Sequence, residues 1–198
     1  GQLVIFGWAA RRAKSFLDMQ EWSEQIVNHK QNCKAFANIA RILLQKGDMG
    51  SLKPYILKMN NTKNQDALAY MCVYYSLNKL PLPALKCFKK LTGKYALMAI
   101  PAMKLAVKDA EEITGLAKDI FFEEYKPVEV EANTAEDFLY KARGHIYVGE
   151  KDAAKEALLA AAASPEITYK TSVDINLAAK IEMKDAELAK ELVNKIHE

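Results

Sequence analysis

The sequence predicts an all-α protein built from stacked helix pairs, and three observations carry that prediction. Ala, Leu, Lys and Glu are abundant, whereas glycine occurs only eight times in 198 residues and so rarely interrupts a segment. Apolar residues recur at helical spacing, and no stretch sustains the apolar–polar alternation of a half-buried strand. A short turn followed by a helix returns along the chain at intervals of one helical hairpin.

Composition sets the outer bounds. An apolar share of 51% with 27% charged residues excludes a wholly disordered chain. Three cysteines, an odd number, make no disulfide framework, which points to a reducing intracellular compartment. No stretch approaches the length of uninterrupted apolar sequence that a membrane-spanning helix needs.

Residues 1–33 read as an N-terminal helical segment, with Trp8 and Trp22 as its large core residues. Its apolar run Leu3–Ala10 precedes the basic Arg11, Arg12 and Lys14, the reverse of a secretory signal. The first residue is Gly1, so a processed form or a part of a longer chain is expected, and the basic N-terminal half raises mitochondrial location as an expectation.

Residues 34–123 carry the first three helix pairs, with apolar stripes such as Phe36, Ile39, Ala40, Leu43 and Leu44. Leu52, Tyr55, Ile56 and Met59 continue the pattern, as do Leu68, Met71, Cys72 and Tyr75, then Ala84, Leu85, Phe88 and Leu91. Residues 124–133 are acidic, contain Pro127 and read as an inserted loop. Residues 134–198 supply a fourth and a fifth pair. The five pairs fall at about 34–60, 64–92, 95–123, 134–163 and 170–197.

The turns between paired helices carry the repeat. Lys46-Gly47-Asp48, Lys108-Asp109-Ala110, Lys151-Asp152-Ala153 and Lys184-Asp185-Ala186 each follow one apolar helix and precede another. Asp there can accept hydrogen bonds from the free N–H groups of the next helix. Pro81 takes that place in the second unit, where its missing N–H costs nothing. Positions 48, 81, 109, 152 and 185 are spaced by 33, 28, 43 and 33 residues, with the acidic loop inside the longest interval.

On these residues the chain resembles the tetratricopeptide and pentatricopeptide repeat families. The fourth unit matches best, with Phe138 at the early aromatic position, Ala142, Ala154 and Ala161 at the small positions and Pro165 near the terminal proline. The second unit offers Cys72, Tyr75, Ala84 and Phe88, and the first Phe36 and Ala40. The third departs with Pro101 and Ile113, and the fifth keeps Ala189 but has Leu177 at the earlier small position. The resemblance implies a right-handed α-solenoid of about five antiparallel helix pairs, and a concave groove able to take a peptide.

Chemistry is harder to find. His29, His145 and His197 are scattered, and Cys33, Cys72 and Cys87 form no Cys-x-x-Cys pair, so no metal site is expected. No glycine-rich phosphate loop or nucleophile motif occurs. The carboxylate pairs Glu111-Glu112, Glu123-Glu124 and Glu136-Asp137 project in different directions and suit helix-dipole roles better than acid–base work. A non-catalytic protein is expected, with no cofactor and no small-molecule substrate. Tyr70, Tyr74, Tyr75 and Phe88 lie close in sequence to several lysines, which admits base stacking, although Tyr75 and Phe88 also fit as core residues.

Charge is divided along the chain. Residues 1–108 contain 17 Lys and Arg against five acids, a balance of +12; residues 109–198 contain 11 against 20, a balance of −9. In a stacked array the division either holds two unlike ends apart to bridge partners, or draws the ends together within a curved array. The candidate basic contact surface is Arg11, Arg12, Lys14, Lys53, Lys58, Lys79, Lys86, Lys89, Lys90 and Lys94. The expected function is a structural subunit of a larger assembly with other protein subunits as partners. RNA contacted at its phosphates is the alternative, and a peptide-binding adaptor a third possibility.

Overall fold

In this computed structural model residues 33–59 and 62–196 are described. The N-terminal helical segment, with Trp8 and Trp22, therefore lies outside the described residues. Those described form ten α-helices and no strand. In chain order they are α1 (Cys33–Lys46), α2 (Met49–Lys58), α3 (Gln65–Leu77), α4 (Pro81–Phe88), α5 (Gly93–Glu112), α6 (Leu116–Glu124), α7 (Ala135–Tyr147), α8 (Lys151–Ala162), α9 (Tyr169–Leu177) and α10 (Ala186–Ile196). A π-helical turn, Ala178–Glu182, continues α9.

Local chemistry explains the helix starts. Asp48 caps α2 by accepting from the Ser51 N–H at 3.0 Å, and Asn64 caps α3 by accepting from that of Ala67. Thr134 and Asp137 form a reciprocal capping box on α7. Pro81 opens α4, and Asp185 accepts from the Leu188 N–H at 2.9 Å.

The turn markers need two corrections. Lys108-Asp109-Ala110 lies inside α5, because none of these residues opposes a helix. The chain turns instead at Gly115, which has φ +73°. Asp152 stands within the first turn of α8, and Glu150 occupies the cap position. The residues at the start of each second helix are thus Asp48, Leu80, Gly115, Glu150 and Asp185, spaced by 32, 35, 35 and 35. The hairpin tips are more regular than the sequence markers.

The chain between α6 and α7, residues 125–134, carries no helix, and Tyr125 and Val130 pack on the core. The interval from Gly115 to Glu150 stays at 35 because α7 has 13 residues against the 20 of α5.

Four tips use a left-handed residue to reverse the chain: Gly47, Lys79, Gly149 and Lys184. At Lys79 the Leu80 N–H donates to the Tyr75 carbonyl at 2.9 Å, closing the last turn of α3. A lysine with φ +57° is strained where glycine would not be. Lys79→Gly is therefore expected to raise stability by about 0.5–1 kcal/mol, read as a higher urea midpoint at unchanged slope.

The small residues at repeat offsets have a packing role throughout. Ala40, Cys72, Ala84, Ala142, Ala154 and Ala161 are fully buried. The interior divides at α7 into two clusters. The first is rich in aromatic and Met side chains, and the second is largely alanine, which lets α7 to α10 approach closely. Leu192 is buried in the second cluster, whereas Val193 is exposed.

Candidate interaction surfaces and a buried charge cluster

The basic surface survives only in part. Arg11, Arg12 and Lys14 lie outside the described residues. Lys53 and Lys58 are exposed on α2, and the Lys58 ammonium stands 5.8 Å and 5.6 Å from the Phe36 and Tyr55 rings. Lys79, Lys86 and Lys90 are exposed around α4, the last two beside a cavity of about 360 Å³ lined by Met71, Tyr75 and Leu82.

Two lysines do not belong to a free surface. Lys89 pairs with Glu124 at 2.9 Å, and Lys94 with Glu136 at 2.8 Å while lying 5.0 Å from the Tyr140 ring. Both acids come from the negatively charged half, which folds back on the positive one. Burial opposes the Lys94 charge, but the Glu136 hydrogen bond and charge outweigh it and raise the pKa. The stacking aromatics are also mostly interior: Tyr70, Tyr74 and Phe88 are buried, and Tyr75 is half-buried.

A groove of about 550 Å³ runs between α5, α7 and α8. Leu97, Ile100 and Phe138 give it apolar walls, and Lys104, Lys141, His145 and the acidic Glu156 give it polar groups. His145 Nδ1 lies 2.6 Å from Glu150 Oε2, which ties the end of α7 to the start of α8. At the α5–α7 crossing Gly144 backs onto the Met98 carbonyl so closely that a Cβ would stand 2.3 Å from its oxygen. Glycine is required here by contact, not by φ.

The least expected feature joins the first hairpin to the last. Glu182, delivered by the π turn, has a side chain only 3% exposed between two guanidinium groups. Its Oε1 lies 3.7 Å from Arg41 Nη1 on α1 and 3.6 Å from Arg143 Nε on α7. These are ion-pair distances beyond hydrogen-bond range, and Arg143 Nε, Glu182 Oε2, Tyr147 Oη and Gln45 Nε2 are buried without a hydrogen-bond partner. Burial disfavours the Arg143 charge, but the Glu182 carboxylate together with Tyr70, Tyr147 and Asp174 outweighs it and the pKa rises. An extra residue in a helical turn redirects the side chains that follow, and π turns of this kind often mark functional sites.

Around this cluster burial also holds three tyrosines protonated. The phenols of Tyr140 and Tyr147 are pushed well up, and that of Tyr70 to about 12. Tyr140 donates to Asp66 Oδ1 at 3.1 Å. A folded pKa above the ordinary 10.0 contributes stability that is complete below pH 10 and lost as pH rises through the folded value. On alkaline titration the phenolate absorbance of these three tyrosines is expected to appear together with unfolding. Three ordinary titrations centred near pH 10 in the folded chain would contradict it.

On the outer side of the cluster, Arg41, Ile42, Gln45, Lys46, Leu177, Ile181, Glu182 and Lys184 enclose a cavity of about 390 Å³. Arg41, Arg143 and Glu182 escaped the sequence reading altogether. The one available signal was the scarcity of arginine, four residues, with Arg143 set between Ala142 and Gly144 on an apolar helix. Arg41 and Glu182 are 141 residues apart, and nothing local marks the π turn.

Among the described residues no three His, Cys, Asp or Glu side chains converge as a metal site, and no helix is long and apolar enough to cross a membrane. Compared with known proteins, the chain matches no family model, no curated protein and no solved structure.

Proposed function

We propose that this chain is a non-catalytic helical-repeat subunit that joins partner proteins within a larger assembly. Its five hairpins are read as a short right-handed α-solenoid, and the observation that supports this is the recurrence of hairpin tips at 32, 35, 35 and 35 residues. Units of one length, stacked on their neighbours, present continuous faces to partners. The Arg41–Glu182 contact draws the first and last hairpins together, so the bridging works between faces and not between separated ends.

The groove between α5, α7 and α8 is the face best shaped for a partner's extended segment, with apolar walls for its side chains and Lys104 and Lys141 for its acids. Crosslinking mass spectrometry of the native assembly tests this. Crosslinks from Lys104 and Lys141 to one partner protein are expected. A monomer that retains no partner through native affinity purification would sink the proposal.

A second reading, contact with RNA phosphates, rests on Lys79, Lys86 and Lys90, which stay exposed on both flanks of α4 beside the half-buried Tyr75. It predicts salt-sensitive retention of RNA that the triple change of these lysines to glutamate abolishes. Absence of retention at low salt by the folded chain would remove this reading.

A further inference from the structure

We infer that the cavity between the first and last hairpins is a binding site for a small zwitterion of the α-amino-acid class with an aliphatic side chain. The ligand is held there, not transformed, and its recognition is independent of any protein or RNA partner.

Charge comes first. Two guanidinium groups, Arg41 and Arg143, flank the Glu182 carboxylate, and of the charged side chains lining the cavity Arg41, Lys46 and Lys184 are cationic while Glu182 alone is anionic. The cavity therefore lacks negative charge, and a ligand carboxylate supplies it. Arg41 is placed to receive that carboxylate, since it reaches Glu182 only at 3.7 Å and its guanidinium can fork onto two oxygens. Gln45, one turn along α1 from Arg41, brings an amide Nε2 that is buried without an acceptor. A buried donor left unsatisfied carries a desolvation cost that a ligand oxygen removes.

A simple anion does not satisfy everything present. Glu182 is almost wholly buried, lines the cavity and keeps Oε2 without a donor. A phosphate drawn in by the cations would place negative charge against Glu182, and a plain carboxylate has nothing to donate to it. An ammonium group next to the ligand carboxylate serves Glu182 while the carboxylate serves Arg41 and Gln45. The remaining wall is aliphatic: Ile42, Leu177 and Ile181, of which Ile181 is exposed at the rim and gains cover from an apolar side chain. The volume of about 390 Å³ lies in the range of small-molecule sites.

The site joins residues of the first hairpin to residues of the last, so the occupied form is the more stable form of the closed array. Calorimetric titration of the full chain with L-leucine tests the inference, with leucinamide and 4-methylpentanoate as probes that lack the carboxylate or the ammonium. Saturable binding of L-leucine and a raised Tm are expected, with both probes weaker by about tenfold or more. Arg41→Gln and Gln45→Leu, each shown folded by circular dichroism, should weaken leucine by about tenfold, and Lys53→Gln should leave it unchanged. No heat and no Tm shift with leucine, isoleucine, valine or methionine at millimolar concentration would overturn the inference, leaving ordered water as the partner of Gln45 and Glu182. Equal binding of leucinamide, or leucine binding indifferent to Arg41→Gln, would overturn it too.

Discussion

Replacing Gly144 with alanine is expected to cost about 3–5 kcal/mol, a large share of the stability of a domain this size. In an ordinary helix interior the change would help, since alanine is favoured over glycine by roughly 1 kcal/mol. Here the new Cβ would stand 2.3 Å from the Met98 carbonyl oxygen and 2.9 Å from its carbon. These are backbone atoms of α5, which cannot rotate aside as a side-chain tip can. The helices must separate, and the buried contacts of Met98, Ala99 and Ala102 loosen with them. Gly50→Ala in α2 is the counterpart: its nearest neighbour would be Asp48 Oδ1 at 3.9 Å, so a gain of about 0.5–1 kcal/mol is expected. Urea unfolding of the two variants separates the effects by sign. A Gly144→Ala chain as stable as its parent would show that α5 and α7 do not cross here.

The contrast between these glycines indicates which parts of the fold a sequence makes legible. Helix positions were readable because the apolar stripes of α1 to α4 repeat locally, and Asp48, Pro81 and Asp185 carry their meaning within a few residues. The third tip was misread because Lys108-Asp109-Ala110 imitates the other markers, while Gly115, the residue that turns the chain, lacks the preceding lysine. Gly144 is an ordinary letter in α7 until Met98 is known to lie against it. Net charge by region misled for the same reason. The balance of +12 and −9 is real, yet Glu124, Glu136 and Glu182 return to Lys89, Lys94 and Arg41 across the boundary. Long-range pairing decides where charge lies in space, and no local pattern encodes it.

Removal of the Glu182 carboxylate, as in Glu182→Ala, is the second change expected to cost about 3–5 kcal/mol, for an electrostatic reason. Arg143 has a side chain only 8% exposed, and Glu182 is the largest favourable influence on its charge. Without that carboxylate a guanidinium remains buried with only the weaker influence of Asp174 as counter-charge, beside the Tyr140 ring at 5.8 Å. Arg41 suffers less, being nearer to solvent at 13% exposure. Replacing both charges by apolar groups, as in Arg143→Met with Glu182→Leu, should recover most of the loss, because the cost lies in the unpaired charge and the pair itself is worth little net. A double-mutant cycle followed by urea unfolding measures the coupling directly, with at least about 2 kcal/mol expected between the two sites. Additive losses would mean that Glu182 and Arg143 do not meet in solution, and that α7 and the π turn are not held together at this point. The double variant also keeps the array folded without its buried charge, so any ligand or partner contact that then fails depends on the charge and not on the fold.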